Sequence, residues 1–102
     1  MTMIVITGTI PTHAEQHDAA VEAMVKMQDA SLAEAGCHKY QFGFTAQDPA
    51  LAIIFEEWLD QAALDAHFAT PHMAEFQASL RGIVAGKGTL TRYEVSSSGP
   101  LG

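Results

Sequence analysis

The sequence predicts one α+β domain in which helices cover one face of a four-stranded antiparallel sheet. Three observations point there. Four short runs rich in Val, Ile, Thr and aromatic residues recur along the chain. A long amphipathic helical pattern follows the first run, and a broken pair of shorter ones precedes the last. The resulting order, β-α-β-β-α-α-β, is the ferredoxin-like split βαβ with its second helix divided in two.

Met3 to Ile10 reads as the first strand, closed by Pro11-Thr12. Thr12 and Glu15 have capping-box spacing, so a helix is expected to start near His13. Its apolar stripe is Ala20, Val21, Met24, Val25, Met27, Leu32 and Ala35, and its polar stripe is Glu15, Asp18, Glu22, Lys26 and Asp29. Glu22 and Lys26 are spaced for an i,i+4 pair. Gly36 is the expected helix stop. From His38 to Ala46 the chain alternates, with His38, Tyr40, Phe42 and Phe44 on one face. Gln47-Asp48-Pro49-Ala50 is a turn, and Leu51 to Leu59 is the third strand. Asp60 is the expected N-cap of a helix over 61–69. Thr70-Pro71 breaks it, with Pro71 suited to the first turn of a helix running to about Arg81. Gly82, Gly86 and Gly88 mark a loop, and Thr89 to Val95 is the last strand. Residues 1–95 form one domain, and Ser-rich 96–102 is a flexible tail.

The third strand is apolar on both faces: Ile53 and Phe55 on one, Ile54 and Trp58 on the other. Helices can cover only one of these, and the 102-residue chain has nothing left for a second layer. A C₂ homodimer pairing two sheets is the expected solution.

Composition narrows the partners. Hydrophobic residues make up 48% of the chain, and 5 Lys+Arg against 12 Asp+Glu give a net charge of −7. Nucleic acid and anionic membrane surfaces need clustered basic residues, so neither is expected. A small hydrophobic or aromatic molecule fits better. The single Cys37 excludes an intrachain disulfide. No run of about 18 apolar residues is present and the N-terminus lacks a basic leader, which points to a cytoplasmic protein.

Several residues invite chemistry. His67 and His72 flank the break between the two short helices, where an imidazole beside an apolar pocket could act as a base; a helix cap or boundary residue is the plainer reading. Trp58 could wall an aromatic site or simply pack. His13 and His17 are i,i+4, but no third ligand accompanies them and a solvated face explains them. Alternation sends Glu56 to the Trp58 face and Glu57 to the opposite one. The run Gly82 to Thr89 precedes a strand and so is no phosphate loop.

Taken together, Ile4-Val5-Ile6-Thr7-Gly8-Thr9-Ile10, Ala35-Gly36-Cys37, Tyr40, Phe55-Glu56-Glu57-Trp58, Ala66-His67-Phe68, Thr70-Pro71-His72-Met73, Phe76 and Arg92-Tyr93-Glu94-Val95 resemble the antibiotic biosynthesis monooxygenase family. This family of dimeric α+β barrels includes quinol monooxygenases. The resemblance spans 3–95, and its most specific stretch runs from Glu56 to His72. It implies a homodimer with a pocket between sheet and helices. It also implies oxygenation by O₂ of an electron-rich quinol, phenol or anthrone, with no metal, flavin or other cofactor. Carried over on these terms, His67, His72 and Trp58 are the catalytic candidates, and Phe44, Phe55, Phe68 and Phe76 are substrate-lining candidates. Two departures stand out. Ile54 occupies the place where polyketide-oxidising members carry an Asn, and Gln77 and Thr7 replace the residues expected of the haem-degrading branch. The alternative function is a non-catalytic dimer that binds a hydrophobic metabolite or serves a stress response.

Overall fold

The computed structural model describes residues 2–102. Strand β1 (Met3–Pro11) leads through a single 3₁₀ turn (Ala14–Gln16) into helix α1 (His17–Leu32), which returns to β2 (Cys37–Phe44) and β3 (Leu51–Trp58). Two short helices, α2 (Gln61–Phe68) and α3 (Pro71–Ser79), precede β4 (Thr89–Val95). The four strands form one antiparallel sheet in the order β2-β3-β1-β4. The expected ferredoxin-like α+β architecture is therefore present, with all helices on one face.

Registers decide which side chains meet the helices. Ile4 opposes Trp58, Ile6 opposes Glu56, Tyr40 opposes Glu56, and Phe42 opposes Ile54 across the ladders. These pairs share the helix-covered face, and most of them join Ala20, Met24, Met27, Leu64, Phe76 and Ile83 in one core. The other face carries Val5, Thr7, Thr9, Gln41, Ile53, Phe55 and Tyr93. There Ile53 is 40% exposed and Tyr93 50% exposed. β3 is thus apolar on both faces, as its alternation requires, while β1 turns threonines outward in its second half. A shallow concavity of about 460 Å³ lies on this helix-free face, lined by Thr7, Thr9, Gln41, Gly43, Ile53 and Phe55 among others.

Local expectations fail where a tertiary partner competes. Thr12 does not cap a helix: its hydroxyl donates to the Ala50 carbonyl at 2.6 Å, tying the end of β1 to the turn before β3. With that oxygen engaged, the chain takes a 3₁₀ turn and α1 begins only at His17. The buried stripe of α1 is Ala20, Met24, Met27 and Ser31. Val21 and Val25 instead face outward beside the edge strand β2, where the Gln28 side-chain Oε1 accepts the Phe42 backbone N–H at 3.1 Å. That bond blunts an edge otherwise open to strand addition. Lys26 pairs with Glu75 on α3 and not with Glu22. A register shift between Cys37 and Lys39 moves His38 off the Tyr40 face, leaving its ring 3.4 Å from Glu57.

Candidate active site

Three turns bring the candidate residues together. Asp60 caps α2 by accepting the Ala63 N–H at 2.9 Å, which sets the helix that carries His67 near its end. Thr70 then stops α2 and starts α3. Its hydroxyl donates to the His67 carbonyl at 2.8 Å and accepts from the Met73 N–H at 3.2 Å, with Pro71 in the first turn. This double role sets His72 in the first turn of α3, just past the break that follows His67.

The third turn joins α1 to β2: the helix ends at Leu32 with Ala33 as its C-cap, so Gly36 lies inside the connection and is not the helix stop expected from sequence. Gly36 has φ +81°, the left-handed region that favours glycine, and an added Cβ there would lie 2.7 Å from the Ala63 Cβ of α2. Its carbonyl accepts the Leu59 N–H at 2.7 Å, which stitches the turn to the end of β3. This close approach delivers Glu34 to the two histidines.

Glu34 Oε2 accepts from His67 Nδ1–H at 2.6 Å and from His72 Nε2–H at 2.8 Å. The His67 ring is fully buried, whereas the His72 side chain is 25% exposed. His67 lies 4.6 Å from the Trp58 ring and 5.4 Å from the Tyr40 ring, centroid to centroid. Trp58 donates its indole N–H to Glu56 Oε1 at 2.9 Å, so a carboxyl group sits inside the core behind the aromatic wall. His67 Nε2 is buried without a hydrogen-bond partner.

The electrostatics follow from this packing. Burial holds His67 below its ordinary value against the opposing pull of Glu34, and charge on His72 lowers it further. His67 is therefore a neutral base around pH 7. Burial pushes Glu56 up to about 7, offset in part by the Trp58 bond. Burial also raises the Tyr40 phenol, with Glu56 adding to it, so Tyr40 stays protonated.

Of the residues singled out from sequence, the fold unites His67, His72 and Trp58. Phe76 is buried against Phe42 and lines a small cleft beside His72. Phe68 adjoins His67 at 5.8 Å but is 58% exposed. Phe44 packs on His17 at 4.6 Å, away from the pair. Phe55 faces the helix-free side of the sheet, opposite Thr7 in the ladder, and cannot line a site around His67. Glu34 escaped sequence reasoning because nothing in its spacing joins it to residues 33 and 38 positions away.

Glu34, His67 and His72 also form the donor set of a divalent-cation site, their ligand atoms lying within 4.8 Å of one another. As arranged, the donors are committed to each other. Contacts of 2.6 and 2.8 Å are hydrogen bonds, whereas ligands around a tetrahedral zinc at ~2.0–2.1 Å stand roughly 3.3 Å apart. A metal would also force the His67 proton onto Nε2, where no acceptor awaits it. The cluster fits protons better than a cation.

The profile described as antibiotic biosynthesis monooxygenase matches residues 3–79. The chain belongs to the antibiotic biosynthesis monooxygenase family. Its relatives include Escherichia coli K12 "Probable quinol monooxygenase YgiN", 29% identical over 92 residues covering 80% of this chain and 88% of that one. An uncharacterised Synechocystis protein is 26% identical over 98 residues, 96% of this chain and 67% of the relative. Among solved structures, a conserved protein of Methanosarcina mazei Go1 superposes with a TM-score of 0.88 at 21% identity, covering 94% of this chain and 95% of that one. A Pseudomonas aeruginosa protein gives 0.85 at 24%, covering 95% and 97%. These two show the shared fold. Membership makes the chain a monooxygenase at family level, and among the described residues no helix is long and apolar enough to cross a membrane.

Proposed function

We propose that the protein is a cofactor-independent monooxygenase that oxidises a small electron-rich aromatic, a quinol, phenol or anthrone-like molecule, with O₂ as the oxidant. The observation that carries this reading is His67. Its Nδ1–H is anchored on Glu34 at 2.6 Å, and its Nε2 lone pair is left bare against the Trp58 wall. That is the arrangement of a general base oriented by a carboxylate.

The chemistry needs little else. His67 Nε2 takes the substrate O–H proton. The resulting phenolate gives one electron to O₂, and the radical pair joins to a ring peroxide anion, which takes the proton back from His67 to become the hydroperoxide. Loss of water then leaves a quinone, so that a phenol and O₂ become a quinone and H₂O. A dry apolar surround suits the charge-transfer step. Because His67 is fully buried, substrate reaches Nε2 only when the aromatic wall around it opens.

We further propose that the unit is a homodimer joined through the helix-free sheet face. Exposed Ile53 and Tyr93, with Phe55 and Val5, supply its apolar contact. The full burial of His67 also supports a second reading, a non-catalytic dimer that holds a hydrophobic metabolite, for which the groove of about 210 Å³ between α1 and β2, lined by Val21, Met24, Gln28, Phe42 and Phe44, is the available volume. Oxygen uptake on a quinol, phenol and anthrone panel, with auto-oxidation subtracted, separates the two. Catalysis requires uptake that His67→Gln abolishes, whereas binding alone gives ligand-dependent Trp58 fluorescence without uptake.

A further inference from the structure

We propose that the groove between α1 and β2 is the entry site for the aromatic substrate, where the Gln28 side-chain amide and the Phe44 backbone N–H hold an oxygen carried on its ring. The inference rests on the oxygenase reading for the statement that the bound molecule goes on to react; the binding itself needs no turnover.

The walls select the ligand. About 210 Å³ of space is lined by Val21, Met24, Val25, Gln28, Phe42 and Phe44. Two phenyl rings, a thioether and two valines suit a flat apolar molecule. Pockets for drug-sized ligands run to ~300–1,000 Å³, so this one suits a molecule of one or two rings. Val25 is 53% exposed and forms the solvent-side rim.

The polar groups come from the edge of the sheet. Thr45 donates its N–H across to the Leu51 carbonyl at 3.0 Å. In an antiparallel pair, successive residues turn their backbone groups towards the partner strand and away from it by turns. Those of Phe44 and Phe42 therefore point away from β3. The Phe42 N–H does so visibly, because Gln28 Oε1 accepts it at 3.1 Å. The Phe44 N–H points the same way and meets no acceptor among the described residues. Gln28, with its oxygen engaged, still offers the two N–H donors of its amide. The Phe42 and Phe44 carbonyls share that edge, so a ring hydroxyl is served as well as a ring ketone. Gln28 also crosses the edge and bars a further strand from pairing along β2, which leaves a small molecule as the occupant.

Position links the groove to the base. Phe42 forms its inner wall and packs on Tyr40 at 5.5 Å, and Tyr40 lies 5.4 Å from His67, centroid to centroid. A bound aromatic thus stands two rings away from His67, on the outer side of the wall that has to open for turnover.

The experiment is two-dimensional amide NMR of the protein titrated with α-tetralone, an aromatic ketone, and with tetralin, the same skeleton without the oxygen. Expected are saturable shifts of the Gln28 side-chain amide and the Phe44 N–H, and binding of tetralone about fivefold tighter than tetralin, the worth of one hydrogen bond. Gln28→Glu keeps an acceptor for the Phe42 N–H and loses the donors, so it should bring the two affinities together. Val25→Trp fills the groove from its exposed rim and should abolish the binding of both. Shifts centred on Thr7, Gln41 and Phe55, equal affinities in the wild type, a preference that survives Gln28→Glu, or binding that survives Val25→Trp overturns the proposal. Where a quinol is turned over, Val25→Trp raises KM about tenfold or more. An unchanged KM contradicts the entry role and leaves the oxygenase reading standing. Tetralone binding in the groove of a wild type that takes up no O₂ across the panel defeats the oxygenase reading and leaves the binding site standing.

Discussion

Replacing Glu56 with Gln keeps the shape of a buried side chain and removes its ability to ionise. Glu56 is 6% exposed, opposes Ile6 and Tyr40 in the sheet, and accepts the Trp58 indole N–H at 2.9 Å. A Gln carbonyl can accept the same bond. Burial moves the carboxyl from its ordinary 4.5 up to about 7. The folded protein therefore holds a proton that the unfolded chain has lost between those values. The stability linked to this group is fully present below pH 4.5 and drains away as pH rises to about 7. A displacement of that size corresponds to at most about 3 kcal/mol. At pH 5 wild type and Glu56→Gln should be of similar stability, and at pH 8 the variant should be more stable by up to about 3 kcal/mol. Urea unfolding followed by the fluorescence of Trp58, the only tryptophan, measures the difference. A stability difference that does not change between pH 5 and pH 8 would refute the buried-carboxyl account.

Other outcomes follow from the same packing. Trp58→Ala should cost about 3–5 kcal/mol, because a fully buried ring leaves a cavity among Ile4, Tyr40 and His67; calorimetry reads it. Gly36→Ala forces a side chain into the left-handed region and against Ala63, so a loss of about 1–3 kcal/mol is expected in denaturant titration. The same substitution should separate Glu34 from His67, seen as loss of the Nδ1–H tautomer. Burial pushes the Cys37 thiol up to about 11, so iodoacetamide should alkylate it more slowly at pH 7.5 than it does free cysteine. For His67, whose folded value is depressed, the associated stability is present above its ordinary 6.5 and is lost as pH falls through the lower folded value. His67→Gln should flatten that acid limb.

Much of this architecture is legible in the residues. Asp60 and Thr70-Pro71 announce their helix boundaries because capping and ring closure are local effects, and period-two alternation by itself places Glu56 on the face of Trp58. His67 and His72 stand out for the same reason, as titratable residues at a local break. What stays hidden depends on contacts distant in sequence. Thr12 has the composition of a cap, but the Ala50 carbonyl takes its hydroxyl. Val21 and Val25 read as core, yet the buried stripe of α1 runs through Ala20, Met24, Met27 and Ser31 and leaves both valines outside it. Glu34 looks like a solvated turn residue until Gly36 lets α2 come close. Phe55 is legible in principle, since the alternation that buries Trp58 turns Phe55 to the other face; its aromatic character alone suggested a pocket.

The role of His67, oriented by Glu34, as the base of an O₂-consuming reaction is open to a single decisive comparison. Oxygen uptake with a reduced quinol is measured for wild type and for a His67→Gln variant confirmed to be folded. Uptake above auto-oxidation is expected in the wild type, with a loss of at least about 100-fold in the variant. Equal rates in the two proteins would show that His67 is not the base.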